Sequence, residues 1–161
     1  MAEREPRWRI ESGPGRNGGR SAAAGVMDPR DALEIEVLRP APTVILLGVT
    51  GDIDMLTSFQ LMDAITEAFA EGPALLAVDL SGVRFVDAAG LRVLTLGGPL
   101  IEEGQRTRFA VICPADNPIA VLLEPAGAQR ELTVHEAARE ALWPWLGNAE
   151  GARSAAEKVL S

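Results

Sequence analysis

The chain has 161 residues, which is enough for one domain with a substantial core and too few for two ordinary domains with linkers. Apolar residues make up 47% of it, but no apolar run approaches the roughly 18 uninterrupted residues of a membrane-spanning helix, so membrane insertion is not expected. The formal net charge of -8 opposes the phosphate backbone of nucleic acid, which argues against direct nucleic-acid binding.

The chain has one cysteine and one histidine, which limits its metal and redox chemistry. Cys113 is the only cysteine, which excludes an intramolecular disulfide framework and a cysteine-rich zinc site. Its place at the end of an apolar strand favours a small buried hydrophobe, with redox sensing as the alternative. His135 is the only histidine and has no second candidate ligand nearby in sequence. No catalytic constellation stands out, so we expect neither an enzyme nor a bound metal or cofactor.

The two ends of the chain differ in composition from its middle. Residues 1–31 are rich in Gly, Arg, Ser and Ala without an apolar period, and we interpret them as a disordered tail. Residues 32–147 are the predicted domain, and 148–161 a C-terminal tail or helix extension. The N-terminus lacks the apolar stretch of a secretory signal, so the cytoplasm is the expected location.

The domain is predicted to begin with two strands. Leu33, Ile35 and Val37 alternate with Glu34, Glu36 and Leu38, which is the period of a half-buried edge strand. Residues 43–49 are apolar on both faces of the predicted strand, as in an interior strand covered on two sides. A turn is expected next, around Gly51 and Asp52.

A helix is predicted to follow this turn. Thr57 and Gln60 have the spacing of a capping box, and Leu56 and Leu61 are placed to form the hydrophobic staple across it. Gly72 and the proline after it end the apolar helical period. Residues 74–80 then predict a second interior strand, so that strand, helix and strand make a right-handed parallel crossover.

The rest of the chain continues the alternation of helices and strands. Asp87 is a candidate cap for a second helix, which the Gly-Gly-Pro segment 97–99 is expected to kink or end. A strand around Phe109, a short helix beginning at Asn117 and Pro118, a strand over 132–134 and a helix over 136–146 follow. The packing residues of the last helix are predicted to be Leu142 and either Trp143 or Trp145. Together these elements indicate an α/β layer architecture.

Two stretches carry a resemblance to a known family. The loop of residues 51–54, Gly-Asp-Ile-Asp, resembles the G-E-L-D loop of STAS domains. Residues 79–91 resemble the D-L-S-G-V-x-F-I-D-S-S-G-L segment of the STAS domains of anti-sigma factor antagonists almost position by position. The resemblance covers about residues 33–146 and implies a mixed sheet of four to five strands flanked by four to five helices.

The resemblance also implies a function. In this family a face built from the two loops binds an anti-sigma factor of the serine-kinase type and thereby frees a sigma factor. The kinase phosphorylates the second serine of the motif, and the phosphorylated antagonist lets go. The corresponding residue is Ala89, which has no hydroxyl and cannot accept a phosphoryl group. The residues implied in partner binding are Asp52, Asp54, Asp87, Ala88, Ala89, Gly90 and Leu91.

Several alternatives stay open at this level. The chain is either a constitutively binding antagonist, or a member that has adopted another input, or a variant from which a native serine was removed. Thr57 and Ser58 are candidates for an alternative phosphoacceptor, although capping already accounts for Thr57. A second function is a non-phosphorylated STAS subunit that acts as a scaffold, ligand sensor or transporter accessory protein. A homodimer is compatible with either function.

Overall fold

A computed structural model describes residues 10–11, 33–102, 106–128 and 132–146. Six strands form one mixed sheet in which spatial order follows chain order. The strands are β1 (Ile10–Glu11), β2 (Glu34–Ala41), β3 (Val44–Ile53), β4 (Leu75–Val86), β5 (Arg108–Ile112) and β6 (Val134–His135). The β1–β2 and β2–β3 pairs are antiparallel, whereas β3, β4, β5 and β6 run parallel to one another.

Helices connect the parallel strands. They are α1 (Ser58–Ala70), α2 (Ala88–Glu102), α3 (Ala120–Ala128) and α4 (Ala138–Leu142), and a 3₁₀ turn (Trp143–Trp145) follows the last one. The predicted mixed sheet flanked by helices is confirmed. The sequence did not predict β1, which lies within the segment expected to be a tail, and the remainder of residues 1–31 falls outside the described residues, as do residues 148–161.

The apolar residues of β3 and β4 divide between two cores because neighbouring side chains on a strand point to opposite faces of the sheet. On one face, Leu47 and Val78 pack with Leu61 of α1 and Leu94 of α2. On the other face, α4 and the 3₁₀ turn cover a second core. It contains, among others, Val44, Leu46, Leu75, Ala77, Leu142 and Leu146. Trp143 and Trp145 pack against this second core, as predicted. The two-sided burial predicted for both interior strands is therefore confirmed.

Strands β3 and β4 are longer than the sequence indicated. The expected turn at Gly51 and Asp52 is wrong, because β3 continues to Ile53 and β4 continues beyond Leu80 to Val86. Irregular register at two points of the β3–β4 pair and a φ of 112° at Gly51 accommodate this extension. The glycine that was expected to break β3 instead allows the strand to bulge and continue.

Three helix boundaries also differ from expectation. Helix α2 continues through 97–99 to Glu102, so the early end is wrong, and the alternative of a kink stays a prediction. Helix α3 begins at Ala120 rather than at Pro118. The closing helix is shorter than 136–146, since α4 ends at Leu142 and a 3₁₀ turn containing Pro144 replaces its last part.

Asn117 supports the part of β4 that extends past β5. The β4–β5 pairing ends at Asp79 and Ile112, so the next β4 carbonyls lack a strand partner on that side. The side-chain amide of Asn117 donates to the carbonyls of Leu80 at 3.1 Å and Val83 at 2.9 Å. Its Oδ1 accepts from the Ile119 amide at 3.0 Å, a bond that helps to start α3. One side chain thus replaces the missing strand.

We predict that Asn117→Ala lowers the free energy of unfolding by about 1–3 kcal/mol, because it leaves partly buried backbone groups without partners. Urea denaturation followed by circular dichroism measures this change. The matched control is Asp116→Ala at the neighbouring exposed position, which should stay within about 0.5 kcal/mol of the wild type. Equal losses in the two variants would show that Asn117 has no special part in supporting β4.

Candidate functional site

The two loops that carry the family resemblance lie side by side at the carboxyl ends of β3 and β4. The parallel register pairs Ile53 with Val86, the last residues of these strands. Just beyond them, the amide of Asp87 donates to the carbonyl of Ile53 at 3.0 Å. The structure therefore brings together Asp52 and Asp54 of one loop with the Asp87 segment of the other.

Asp54 organises the loop between β3 and α1. Its Oδ1 accepts hydrogen bonds from the amides of Leu56 at 2.8 Å and Thr57 at 2.9 Å. The Thr57 hydroxyl donates to the carbonyl of Asp52 at 2.7 Å and accepts from the amide of Asp54 at 2.9 Å. These bonds close a tight turn in which one carboxylate oxygen of Asp54 is already engaged.

This turn replaces the capping box predicted from the sequence. Thr57 is the N-cap residue of α1, but its side chain makes no capping hydrogen bond because its hydroxyl is directed back into the loop. The predicted staple is also wrong, since Leu61 is buried whereas Leu56 is exposed. Gln60 therefore has no role in a capping box here.

Asp87 caps α2, as the sequence predicted. Its Oδ1 accepts from the amide of Gly90 at 2.9 Å, and its carbonyl accepts from the amide of Leu91 at 2.9 Å. Ala88 is exposed at the start of the helix, and Ala89 is half-buried beside it. Ala89, which the resemblance places at the phosphoacceptor position, thus lies in the first turn of a capped helix.

Gly90 and Leu91 face the interior of the domain. Gly90 is buried, and a Cβ atom there would lie 2.5 Å from Ile53 Cγ2 and 3.0 Å from the Ile53 carbonyl oxygen. Leu91 is half-buried against the first core. The contact with Ile53 requires a residue without a side chain here, whether or not a partner binds.

The structure also shows residues at this site that the sequence reasoning missed. Met55, Leu56 and Phe59 are large apolar side chains exposed on the first loop and the start of α1. Phe59 falls outside the apolar stripe of α1, whose buried members include Leu61 and Ile65. Its position in the sequence could therefore have indicated that it is exposed. The site therefore combines carboxylates with exposed apolar side chains.

Other candidate chemistry is absent from the described part of the chain. Thr57 and Ser58 are buried, so neither hydroxyl is accessible to a kinase in the folded domain. Within the described residues no three His, Cys, Asp or Glu side chains are grouped to hold a metal ion. Cys113 is buried, as predicted, and burial raises the pKa of its thiol, with Asp79 and Asp116 adding to the increase. A thiol of this kind reacts slowly near neutral pH.

We predict that Gly90→Ala lowers the free energy of unfolding by about 1–2 kcal/mol, because overpacking against Ile53 outweighs the helix propensity that alanine adds. The matched control is Gly48→Ala in β3, where a Cβ would meet Glu36 atoms at 3.8 Å and 3.9 Å, an ordinary contact distance. The control should show no loss in urea denaturation. A Gly90→Ala variant as stable as the control would contradict the assigned packing.

Comparison with known proteins agrees with this arrangement. Residues 38–107, which contain both loops, match the sequence model of the family described as "Mlab, STAS domain". The anti-sigma-F factor antagonist RsfB of two Mycobacterium tuberculosis strains is 38% identical over 69 residues, covering 43% of this chain and 55% of the relative. The matched region thus spans only about half the length of these curated relatives.

Solved structures share the fold. An anti-sigma factor antagonist from Mycobacterium paratuberculosis is 26% identical with a TM-score of 0.62, covering 74% of this chain and 97% of that one. SpoIIAA in its unphosphorylated form is 15% identical with a TM-score of 0.56, covering 72% and 99% of the two chains. No helix among the described residues is both long and apolar enough to cross a membrane. Residues 38–107 thus match a STAS domain, and the chain is similar to anti-sigma factor antagonists in both sequence and fold.

Proposed function

We propose that this chain is a cytoplasmic, non-enzymatic regulator that sequesters an anti-sigma factor of the serine-kinase type and so frees a sigma factor. The observation that carries the proposal is the joined pair of loops at the ends of β3 and β4, in a region that matches the STAS family. The name of the mycobacterial relative, an anti-sigma-F factor antagonist, supports the same class of partner.

The electrostatics of the loops support a partner with a basic surface. Asp52, Asp54 and Asp87 place three carboxylates at one end of the sheet, on a chain with a net charge of -8. Complementary charge across an interface accelerates association and rejects partners of the wrong charge. Asp54 and Asp87 also hold their own loops in shape, so each contributes to the surface and to its rigidity.

Under this proposal the chain lacks the release by phosphorylation that its resemblance to anti-sigma factor antagonists implies. Ala89 supplies no hydroxyl, and the nearby hydroxyls of Thr57 and Ser58 are buried. In a relative with serine here, a phosphate would add about two negative charges beside the three carboxylates. We infer that this chain stays in the binding-competent state while its partner is present.

We predict that Ala88→Trp weakens binding to the anti-sigma factor about tenfold or more, because Ala88 is exposed at the start of α2, where a bulky ring would block close approach. A pull-down against purified serine-kinase anti-sigma factors, followed by calorimetry on the one retained, measures the effect. The matched control is Ala70→Trp, exposed at the far end of α1. Undiminished binding of Ala88→Trp would exclude this face.

We predict that the wild-type chain stays bound and unphosphorylated when the kinase partner and ATP are present, whereas Ala89→Ser gains one phosphate and is released. Restoring the hydroxyl at this position supplies the acceptor that the transfer requires. Intact-mass spectrometry and size-exclusion chromatography follow the two outcomes. Phosphorylation of the wild type coupled to its release would overturn the proposed loss of control.

The second function, a STAS subunit that serves as scaffold, ligand sensor or transporter accessory protein, draws its support from Ala89, since such a role needs no phosphoacceptor. Native mass spectrometry separates it from the first. A co-purified lipid or a large homo-assembly would favour this function, and a monomer or dimer without ligand would favour the antagonist.

A further inference from the structure

Three large apolar side chains at the paired loops are exposed to solvent and do not pack into the core of the domain. Met55, Leu56 and Phe59 expose 67%, 67% and 70% of their surface, the largest fractions among the exposed large hydrophobic residues of the described chain. We call these three residues the α1 patch. Single exposed apolar residues are ordinary, but a group of them within five consecutive positions marks an interaction surface.

The local structure forces the α1 patch outward. Asp54 Oδ1 binds the amides of Leu56 and Thr57, so the backbone of the loop is fixed. Thr57 and Ser58, which lie between the members of the patch, are buried. On α1, Phe59 points away from the side that Leu61 buries, because two helical positions differ by about 200°. The patch is therefore held ready in the free protein, which reduces the entropy cost of binding.

The charged residues of the β3–α1 loop and the first two turns of α1 all have one sign. Between positions 52 and 65 every charged residue is acidic, namely Asp52, Asp54 and Asp63. Asp63 is exposed and lies one turn after Phe59 on the same side of α1. Asp87 adds a fourth carboxylate from the adjoining loop. The patch is thus an apolar centre with an acidic border.

This border decides which occupant suits the patch. In a two-fold dimer formed through the patch, each copy would present the same carboxylates to those of the other, and like charges across an interface are costly. An anionic membrane surface is disfavoured for the same reason. A protein groove that is apolar at its centre and lined with Lys or Arg at its edge satisfies both features.

We propose that the α1 patch is the apolar centre of the interface with the anti-sigma factor, seated in an apolar groove with a basic edge. This inference rests on the proposed function and extends it, since it assigns the binding energy to apolar side chains that the family motif does not contain. The carboxylates then orient the partner and accelerate its arrival, while burial of the patch slows dissociation.

The test uses the full chain and the anti-sigma factor that the wild type retains in the pull-down. We expect Phe59→Ser to raise Kd about tenfold or more, and replacement of all three patch residues by serine to raise it further. Val121→Ser with Leu122→Ser is the matched control, since these α3 residues are 65% and 45% exposed and should change Kd less than about twofold. Asp63→Lys should lower the association rate at low salt.

The outcomes separate this inference from the proposed function. If the wild type retains no serine-kinase anti-sigma factor, the proposed function fails and the inference with it. If the wild type binds and the patch variants, shown by urea denaturation to be as stable, bind equally well, the inference alone fails. A wild-type dimer in sedimentation equilibrium that Phe59→Ser converts to monomer would make a second copy the occupant. Binding of the wild type but not of Phe59→Ser to phosphatidylcholine vesicles would show that lipid occupies the α1 patch. Either of these last two results overturns the inference.

Discussion

The end of β3 at Ile53 is the point on which the geometry of the site depends. The side chain of Ile53 is buried in the first core, and its carbonyl accepts the amide of Asp87 from the next loop. Its Cγ2 atom lies where any side chain at Gly90 would begin. One residue therefore contacts both the start of the second loop and the first turn of α2. A shift of Ile53 would move Asp87 and Ala89 together.

The sequence predicted the layers of this fold well because burial in a sheet leaves a local signature. Apolar residues on both faces of β3 and β4 indicated a sheet covered on two sides, and two cores are found there. The ends of these strands were not predictable in the same way. The extension of β4 depends on Asn117, which is 34 residues away from Val83 in sequence. No local pattern around either residue reports such a contact.

The β3–α1 loop shows how two local signals compete. The spacing of Thr57 and Gln60 is typical of a capping box, yet Asp54 offers a carboxylate three residues earlier and takes the amide of Thr57. The threonine hydroxyl then turns towards the Asp52 carbonyl, and Leu56 loses the position from which it would cover Leu61. Asp87 had no such competitor, and its predicted cap is found. In these two cases the sequence predicted the helix cap correctly only where a single side chain can accept hydrogen bonds from the first amides of the helix.

The hydrogen bonds of the β3–α1 loop also fix the backbone of the site. Under the proposed function no phosphate resets this surface, so its specificity depends on shape and charge, and both benefit from a backbone that does not adapt to other partners. Asp54 and Thr57 provide that rigidity from within the loop, and Asp87 provides it from the neighbouring helix. Under the proposed function, occupancy of the anti-sigma factor then depends on the amounts of the two proteins and on the lifetime of their complex. If the α1 patch forms the centre of that complex, its burial increases the lifetime, whereas the carboxylates beside it act mainly on the rate of encounter.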